Sequence, residues 1–308
     1  MRNYRIISLF AVLLAAFGLA SCSDWTETEG LKRSVRKPWE QDPALWADYT
    51  AALRAYKQSE HFIVYAQLCN SPEKSGSEQD YMRCLPDSLD IVSLTNADNF
   101  SEFDREDMAV MREKGTKVLC HLDYAGRAEE LADAAVLEAC IDKAIALVRA
   151  EGLDGFAFTG TPRVGDAAAQ AAAALLVGKF SAAKGEGQLL VFEGNPLFVA
   201  ADDRDKVDYF VLDTERTQHA QDVKFKVINA LDYAAVPARK LLLAAGASAP
   251  LYDEDRTEHA AVVEMTRRVV EFGPLGGLGV YDIGKDYYHS EMNYLNIRQA
   301  GQTLNPSK

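Results

Sequence analysis

Cysteine is scarce in this chain: five residues in 308, and no two are spaced C-x-x-C. That excludes a thioredoxin-type redox pair and a zinc ribbon. Histidine is equally thin, at positions 61, 121, 219, 259 and 289, with no H-E-x-x-H and no other paired spacing. No metal site and no cofactor is therefore expected. G-x-S-x-G is missing too. The nearest stretch, Ala245-Gly-Ala-Ser-Ala-Pro250, lacks the second glycine of a nucleophile elbow. Asp202-Asp-Arg-Asp205 has neither the glycine nor the distal Glu of a calcium loop, and Gly273 to Gly279 is not a phosphate loop. Positive charge is in deficit, with 33 Lys and Arg against 46 Asp and Glu and a net charge of −13. Such a surface repels nucleic acid and anionic lipid and leaves neutral or cationic ligands. The one long apolar run, Ile6 to Ala20, is short for a membrane span.

That run belongs to a processing signal. Arg2 and Arg5 give it a basic start, and Leu19-Ala20-Ser21-Cys22 resembles the bacterial lipobox, in which the Cys is lipidated and becomes the first residue. Residues 1–21 are thus expected to be a lipoprotein signal peptide and 22–38 a lipid-anchored linker. Residues 39–308 are the expected folded domain. Asp24, Glu27 and Glu29 resemble the surface-export signal of lipoproteins in glycan-degrading Gram-negative bacteria. An outer-membrane lipoprotein at the cell surface, touching the membrane only through its lipid, is the expectation. Cys69 and Cys84 flank a polar loop and could close it as a disulfide worth roughly 3 kcal/mol. Cys120 and Cys140 fall in apolar elements and are expected to be buried free thiols.

Hydrophobic content of 48% and charged content of 26% describe a folded globular chain. Asp42-Pro43 opens a helix on which Trp46, Tyr49, Leu53 and Tyr56 recur at helical spacing, a packing face. Short apolar runs then alternate with helical patterns. Strands are predicted at 61–68, 89–96, 117–123, within 152–163, and at 188–193, 207–213, 239–245 and 276–282. Helices are predicted at 101–114, 128–151, 165–183, roughly 217–233, 258–271 and from about 290. Eight such units over about 260 residues predict one α/β domain, a (β/α)8 TIM barrel. A doubly wound open sheet is the rival, but the first turn, Leu68-Cys69-Asn70-Ser71-Pro72, has no glycine-rich fingerprint.

The most informative stretch is Gly152-Leu-Asp-Gly-Phe-Ala-Phe-Thr-Gly-Thr-Pro-Arg163. Phe156 and Phe158 alternate with Gly155, Ala157 and Thr159, which suits a barrel strand with a large outer row and a small inner row. The stretch resembles the fourth strand of glycoside hydrolase family 18, the chitinases and endo-β-N-acetylglucosaminidases, which write D-G-x-D-x-D-x-E there. Asp154 and Gly155 are kept. Ala157, Thr159 and Thr161 stand where the three acids would be. The resemblance implies a general acid at position 161 and, at position 159, an Asp that orients the substrate's N-acetyl group. Threonine cannot deliver a proton at neutral pH as a carboxylic acid can. No catalytic residue is therefore expected at these positions.

Polar residues at the strand carboxyl ends remain, where barrel sites form. They are Gln67, Asn96, Asp123, Tyr124, Glu193, Asn195, Asp213, Glu215, Tyr281 and Asp282. Tyr281 stands where the family usually carries a Trp floor beneath the sugar. Together they outline a polar cleft with aromatic walls, suited to a glycan containing N-acetylglucosamine, such as an N-glycan or a chitin-like oligomer. The expected protein holds glycan without cutting it, beside outer-membrane glycan-uptake proteins, with no nucleic-acid partner. Two alternatives stand: an active glycosidase with relocated carboxylates, for instance Glu193 with Asp213 or Glu215, and a scaffold subunit that binds no glycan.

Overall fold

The structure, a computed structural model, describes residues 37–72, 77–163 and 165–306. The expected signal peptide, Cys22 as the expected lipidation site, and nearly all of the expected linker lie outside the described residues. The compact unit that carries the fold begins at Asp48.

Eight parallel strands close into a barrel: β1 (Ile63–Leu68), β2 (Ile91–Leu94), β3 (Lys117–Leu122), β4 (Gly155–Gly160), β5 (Leu189–Gly194), β6 (Tyr209–Leu212), β7 (Leu241–Gly246) and β10 (Gly277–Tyr281). Between β7 and β10 the chain adds an antiparallel pair, β8 (Pro250–Tyr252) and β9 (Glu258–Ala260). Alternation along each strand divides the side chains into two cores. Tyr65, Ile91, Leu119, Ala157, Val191, Val211, Leu242 and Ala244 fill the axis. The outward row packs on the helices. On β4, Phe156 stacks on Phe180 with centroids 4.6 Å apart, and Phe158 meets Phe192 at 5.2 Å. This is the large-outside, small-inside division expected of that strand.

Three aspartates fix the strand entries. Asp90, Asp154 and Asp208 precede β2, β4 and β6. Each accepts the amide of the second residue of the preceding strand: Val64 at 2.8 Å, Val118 at 3.0 Å and Leu190 at 2.7 Å. The same carboxylates also meet His61, Lys117 and Lys184. Asp154, a residue of the family-like stretch, is thus a strand anchor at the amino end of the barrel, far along β4 from the site end.

The helices are α1 (Pro43–Gln58), α2 (Glu102–Lys114), α3 (Ala134–Glu151), α4 (Ala167–Ala183), α5 (Ala220–Ile228), α6 (Ala261–Glu271) and α7 (Leu295–Leu304). The Ser101–Asp104 capping box starts α2 and Gly115, at φ 72°, ends it, as predicted. Other boundaries differ. Asp133 accepts the amides of Ala135 and Val136, and Asp166 those of Ala168 and Ala169, so α3 and α4 begin at these caps rather than at 128 and 165. Helix α5 ends at Ile228 and passes into a π-helical turn, Asn229–Tyr233. Residues 258–260 form β9 instead of opening α6, and the last helix waits until Leu295. The Cys69–Cys84 disulfide is also corrected: both are free thiols. Cys69 faces solvent while Cys84 is half-buried against the core.

Candidate functional site

At the carboxyl end of the barrel the inner row turns polar, and its centre is Glu193. The β5 register puts Glu193 beside Thr159 on β4 and Val211 on β6, pointing to the axis. Its residue is only 2% exposed. One oxygen accepts the Tyr65 hydroxyl from β1 and the other accepts the Gln67 amide. His121 Nε2 on β3 lies 3.5 Å from Oε2, an ion-pair separation without a well-directed hydrogen bond. The Tyr281 hydroxyl completes the ring of donors. Room for the Tyr65 ring comes from Gly279, where a Cβ would lie 3.4 Å from the ring and 2.9 Å from Val211.

Burial alone would push the Glu193 carboxyl up. The charge and proton of His121 and the hydroxyls of Tyr65 and Tyr281 outweigh it, and the carboxyl is held below its ordinary range. For His121, burial disfavours the cation, but Glu193 and then Asp123 outweigh it and the imidazole is raised. The hydroxyls of Tyr65 and Tyr281 are raised well above the ordinary value by burial and by Glu193, so they remain donors. The floor of the barrel mouth is therefore a pair whose charged forms favour each other, surrounded by neutral donors.

Around this floor the side chains divide. Ala157 is buried in the axis, in register with His121 and Val191. Thr159 donates to Asp123 Oδ1 at 2.6 Å and accepts the Ala125 amide at 2.8 Å, tying β4 to the loop after β3. Thr161 lies past the end of β4 and is exposed. It lines an outer cavity of about 360 Å³ with Tyr124 and the alanines of α4. Glu215 is half-buried after β6, and its Oε2 is buried without a partner. Burial, then Asp213, raises its carboxyl, and its charge in turn acts on Tyr281.

The same architecture occurs in solved structures. BT1044 is 18% identical with a TM-score of 0.70, over 88% of this chain and 96% of that one. The endo-β-N-acetylglucosaminidase of Cordyceps militaris is 17% identical with a TM-score of 0.60, over 84% and 96%. YKL-39, solved with chitooligosaccharides, is 9% identical with a TM-score of 0.61, over 80% and 100%. At these identities the likeness shows the fold. No curated protein matches by sequence. Residues 26–138 match the family described as glycoside hydrolase family 18, BT1044-like. Over that segment the chain is similar to family 18.

In this family 18-like barrel, Gln67, Glu193 and Tyr281 are brought together, with Glu215 acting electrostatically on Tyr281. Asp123 joins them only through its influence on His121 and its bond to Thr159. Asn96 is turned away, its amide donating to the carbonyls of Asn70 and Ser71. Asn195 caps a 3-10 turn through Leu197 N at 3.0 Å. Tyr124 packs on Phe198 at 5.7 Å. Asp213 pairs with Lys226 at 3.3 Å, and Asp282 is exposed and pairs with Lys285 at 2.8 Å. Two central residues, Tyr65 and His121, escaped the sequence reading. The signal was strand parity: Tyr65 is two residues before Gln67, and His121 two before Asp123, each on the same inner row. Among the described residues, no group of three or more His, Cys, Asp and Glu is placed to hold a metal ion.

Proposed function

We propose that this family 18-like protein holds a neutral, N-acetylglucosamine-containing glycan at the barrel mouth and does not hydrolyse it. The observation that carries this reading is the state of Glu193. It is the carboxylate on the axis, it is ionised, and both oxygens are already engaged. It has no proton to give a leaving group at neutral pH. Ala157, Thr159 and Thr161 supply none either. The ring of Tyr281 and the neutral donors around it suit sugar faces and hydroxyls. The enzyme named for endo-β-N-acetylglucosaminidase action and the protein solved with chitooligosaccharides support the ligand class. Anchoring through Cys22 at the outer surface, beside glycan-uptake proteins, belongs to the same proposal. A glycan array on the full chain tests it, with product analysis of every glycan retained. Retention of N-acetylglucosamine glycans without products is expected; no retention rejects binding, and products reject the inert reading. Cys22→Ala should release the protein from membranes, and protease-resistant protein on intact cells would reject the surface location.

A second reading has one observation in its favour. Glu215 is raised and Glu193 lowered, and Glu215 keeps a buried oxygen free. Carboxyls pushed apart in this way are what acid and base roles require. Turnover of a chromogenic chitobioside that Glu215→Gln abolishes would establish this reading; absence of turnover in the wild type would end it.

A further inference from the structure

The net charge of −13 turns anions away from most of this protein, and one recess is an exception. It holds about 400 Å³ and lies at the amino end of the barrel, opposite the mouth. Its base is apolar. Ile63, Ile91, Leu189 and Tyr209 are the first residues of β1, β2, β5 and β6, and all four pack in or against the axial core. The Tyr209 hydroxyl makes no hydrogen bond to any described residue, and burial raises it, so it stays a donor.

The rim of this recess is cationic. Arg54 and Lys57 come from α1, Arg112 from α2 and Lys117 from the start of β3. Two acids share the recess, and both are committed. Asp154 pairs with Lys117 at 3.0 Å and Asp90 with His61 at 3.0 Å, and each also accepts a strand amide. Asp87 and Asp208, which act on Lys57 and Tyr209 from further out, pair with Lys114 and Lys184 at 2.7 Å each. Arg54, Lys57 and Arg112 have no carboxylate partner among the described residues. They rest on neutral oxygens instead. Arg54 Nη1 donates to the Glu113 carbonyl at 2.5 Å, and Arg112 Nη2 to the Gly152 carbonyl at 3.1 Å. Those carbonyls belong to the carboxyl ends of α2 and α3, which carry roughly half a negative charge each and so offset only part of the two guanidiniums. Lys57 Nζ donates to the Leu89 carbonyl at 2.5 Å and to Thr116 Oγ1 at 2.7 Å. Burial pushes its amine down to about 8, and Asp90 and Asp87 restore only part of the fall. A surplus of positive charge therefore stands over an apolar pit.

We propose that this recess binds a small amphipathic carboxylate, its anionic head among Arg54, Lys57 and Arg112 and its hydrocarbon body in the pit formed by Ile63, Ile91 and Leu189. A neutral ligand would leave the cations unanswered, and a bare oxyanion would leave the pit wet. A guanidinium presents two parallel N–H donors to a carboxylate, and both arginines keep most of their donors. The volume is that of a small-molecule pocket. The site stands independently of the mouth and of what the mouth holds.

The test is isothermal calorimetry on the full chain at fixed ionic strength with three probes: octanoate below its micelle concentration, 1-octanol and inorganic phosphate. Octanoate should bind once per chain and more tightly than either of the others. Arg54→Gln with Arg112→Gln should weaken it several-fold. So should Gln58→Trp, which crowds the recess from an exposed lining position. Tetra-N-acetylchitotetraose should not displace it. Thermal melts check folding; if the arginine pair does not fold, Arg112→Gln alone, at an exposed side chain, replaces it. No octanoate binding overturns the proposal, as does binding unchanged by the arginine variant or by the tryptophan. Octanol binding as tightly as octanoate would reject the anionic head, and phosphate doing so would reject the apolar body. Displacement by the chitotetraose would put octanoate at the mouth and overturn the proposal as well.

Discussion

Glu193→Gln isolates the buried charge on the axis with almost no change of shape. The carboxylate accepts from Tyr65 and Gln67 and neutralises His121. Removing one partner of a buried ion pair costs about 3–5 kcal/mol, because the other is left uncompensated. The amide recovers part of this. The new NH2 faces only one of the two donors, and that one can adapt, the Tyr65 hydroxyl by rotating or the Gln67 amide by flipping, which recovers on the order of 1 kcal/mol. The expected net loss is therefore about 2–4 kcal/mol. For a chain of this size it should lower the melting temperature by roughly 5–12 °C. His121→Gln should cost less, about 1–2 kcal/mol, since Glu193 keeps its other donors. The double variant should show a coupling of about 1–2 kcal/mol, as expected for groups in one network. Urea titration of the four proteins measures all three quantities. A Glu193→Gln protein within 0.5 kcal/mol of wild type, or more stable, would mean that desolvation cancels the whole network. The ordered floor would then not depend on this charge.

The same pair predicts a pH window. A lowered Glu193 contributes stability above its ordinary carboxylate value that is lost as pH falls through the folded one, and a raised His121 contributes below its ordinary imidazole value and loses it as pH rises. The gap in melting temperature between wild type and the double variant should therefore be widest between about pH 4.5 and 6.5, and a gap that grows steadily from pH 6 to 9 would contradict the assignment. Gly160→Ala would place a Cβ 2.3 Å from the Phe198 ring; such overpacking should cost about 1–3 kcal/mol in the same titration, and a neutral effect would mean that Phe198 moves freely. Thr161→Glu should give no turnover of a chromogenic chitobioside, because the new acid stands on an exposed segment and Thr159 remains bound to Asp123; measurable hydrolysis by that single variant would refute the inert-site reasoning.

Much of the barrel was readable because burial imposes a period on a strand. The runs at 117–123 and 188–193 could hardly be anything else, and Phe156 and Phe158 declared their outward row. Helix starts were less readable, because alanine continues a helical pattern backwards without cost while the real start is set by where an aspartate reaches an amide, at Asp133 and Asp166. The site was partly legible for a related reason. Position at a strand end selects residues that can face the mouth, but Asn96 and Asn195 satisfy backbone groups there instead. Tyr65 looked like one more core aromatic, and only the closed barrel reveals that its hydroxyl meets a carboxylate from the far side of the ring of strands.

The register of β4 and β5 also constrains which neighbouring sequences are reachable. Thr159 and Glu193 sit side by side on adjacent strands, and Thr159 already touches Asp123. An aspartate at 159 would crowd a third carboxylate between those two. An acid-bearing fourth strand is therefore not open to this chain one substitution at a time: the charge at 193 has to go first, and its departure weakens the barrel before anything is gained. The step in the opposite direction, from an acid-bearing strand to this one, crosses no such valley if the acid at 159 is lost before a carboxylate is seated on β5. A route easy one way and steep the other tends to be travelled once, which is a reason for the present arrangement to persist whatever the mouth is used for.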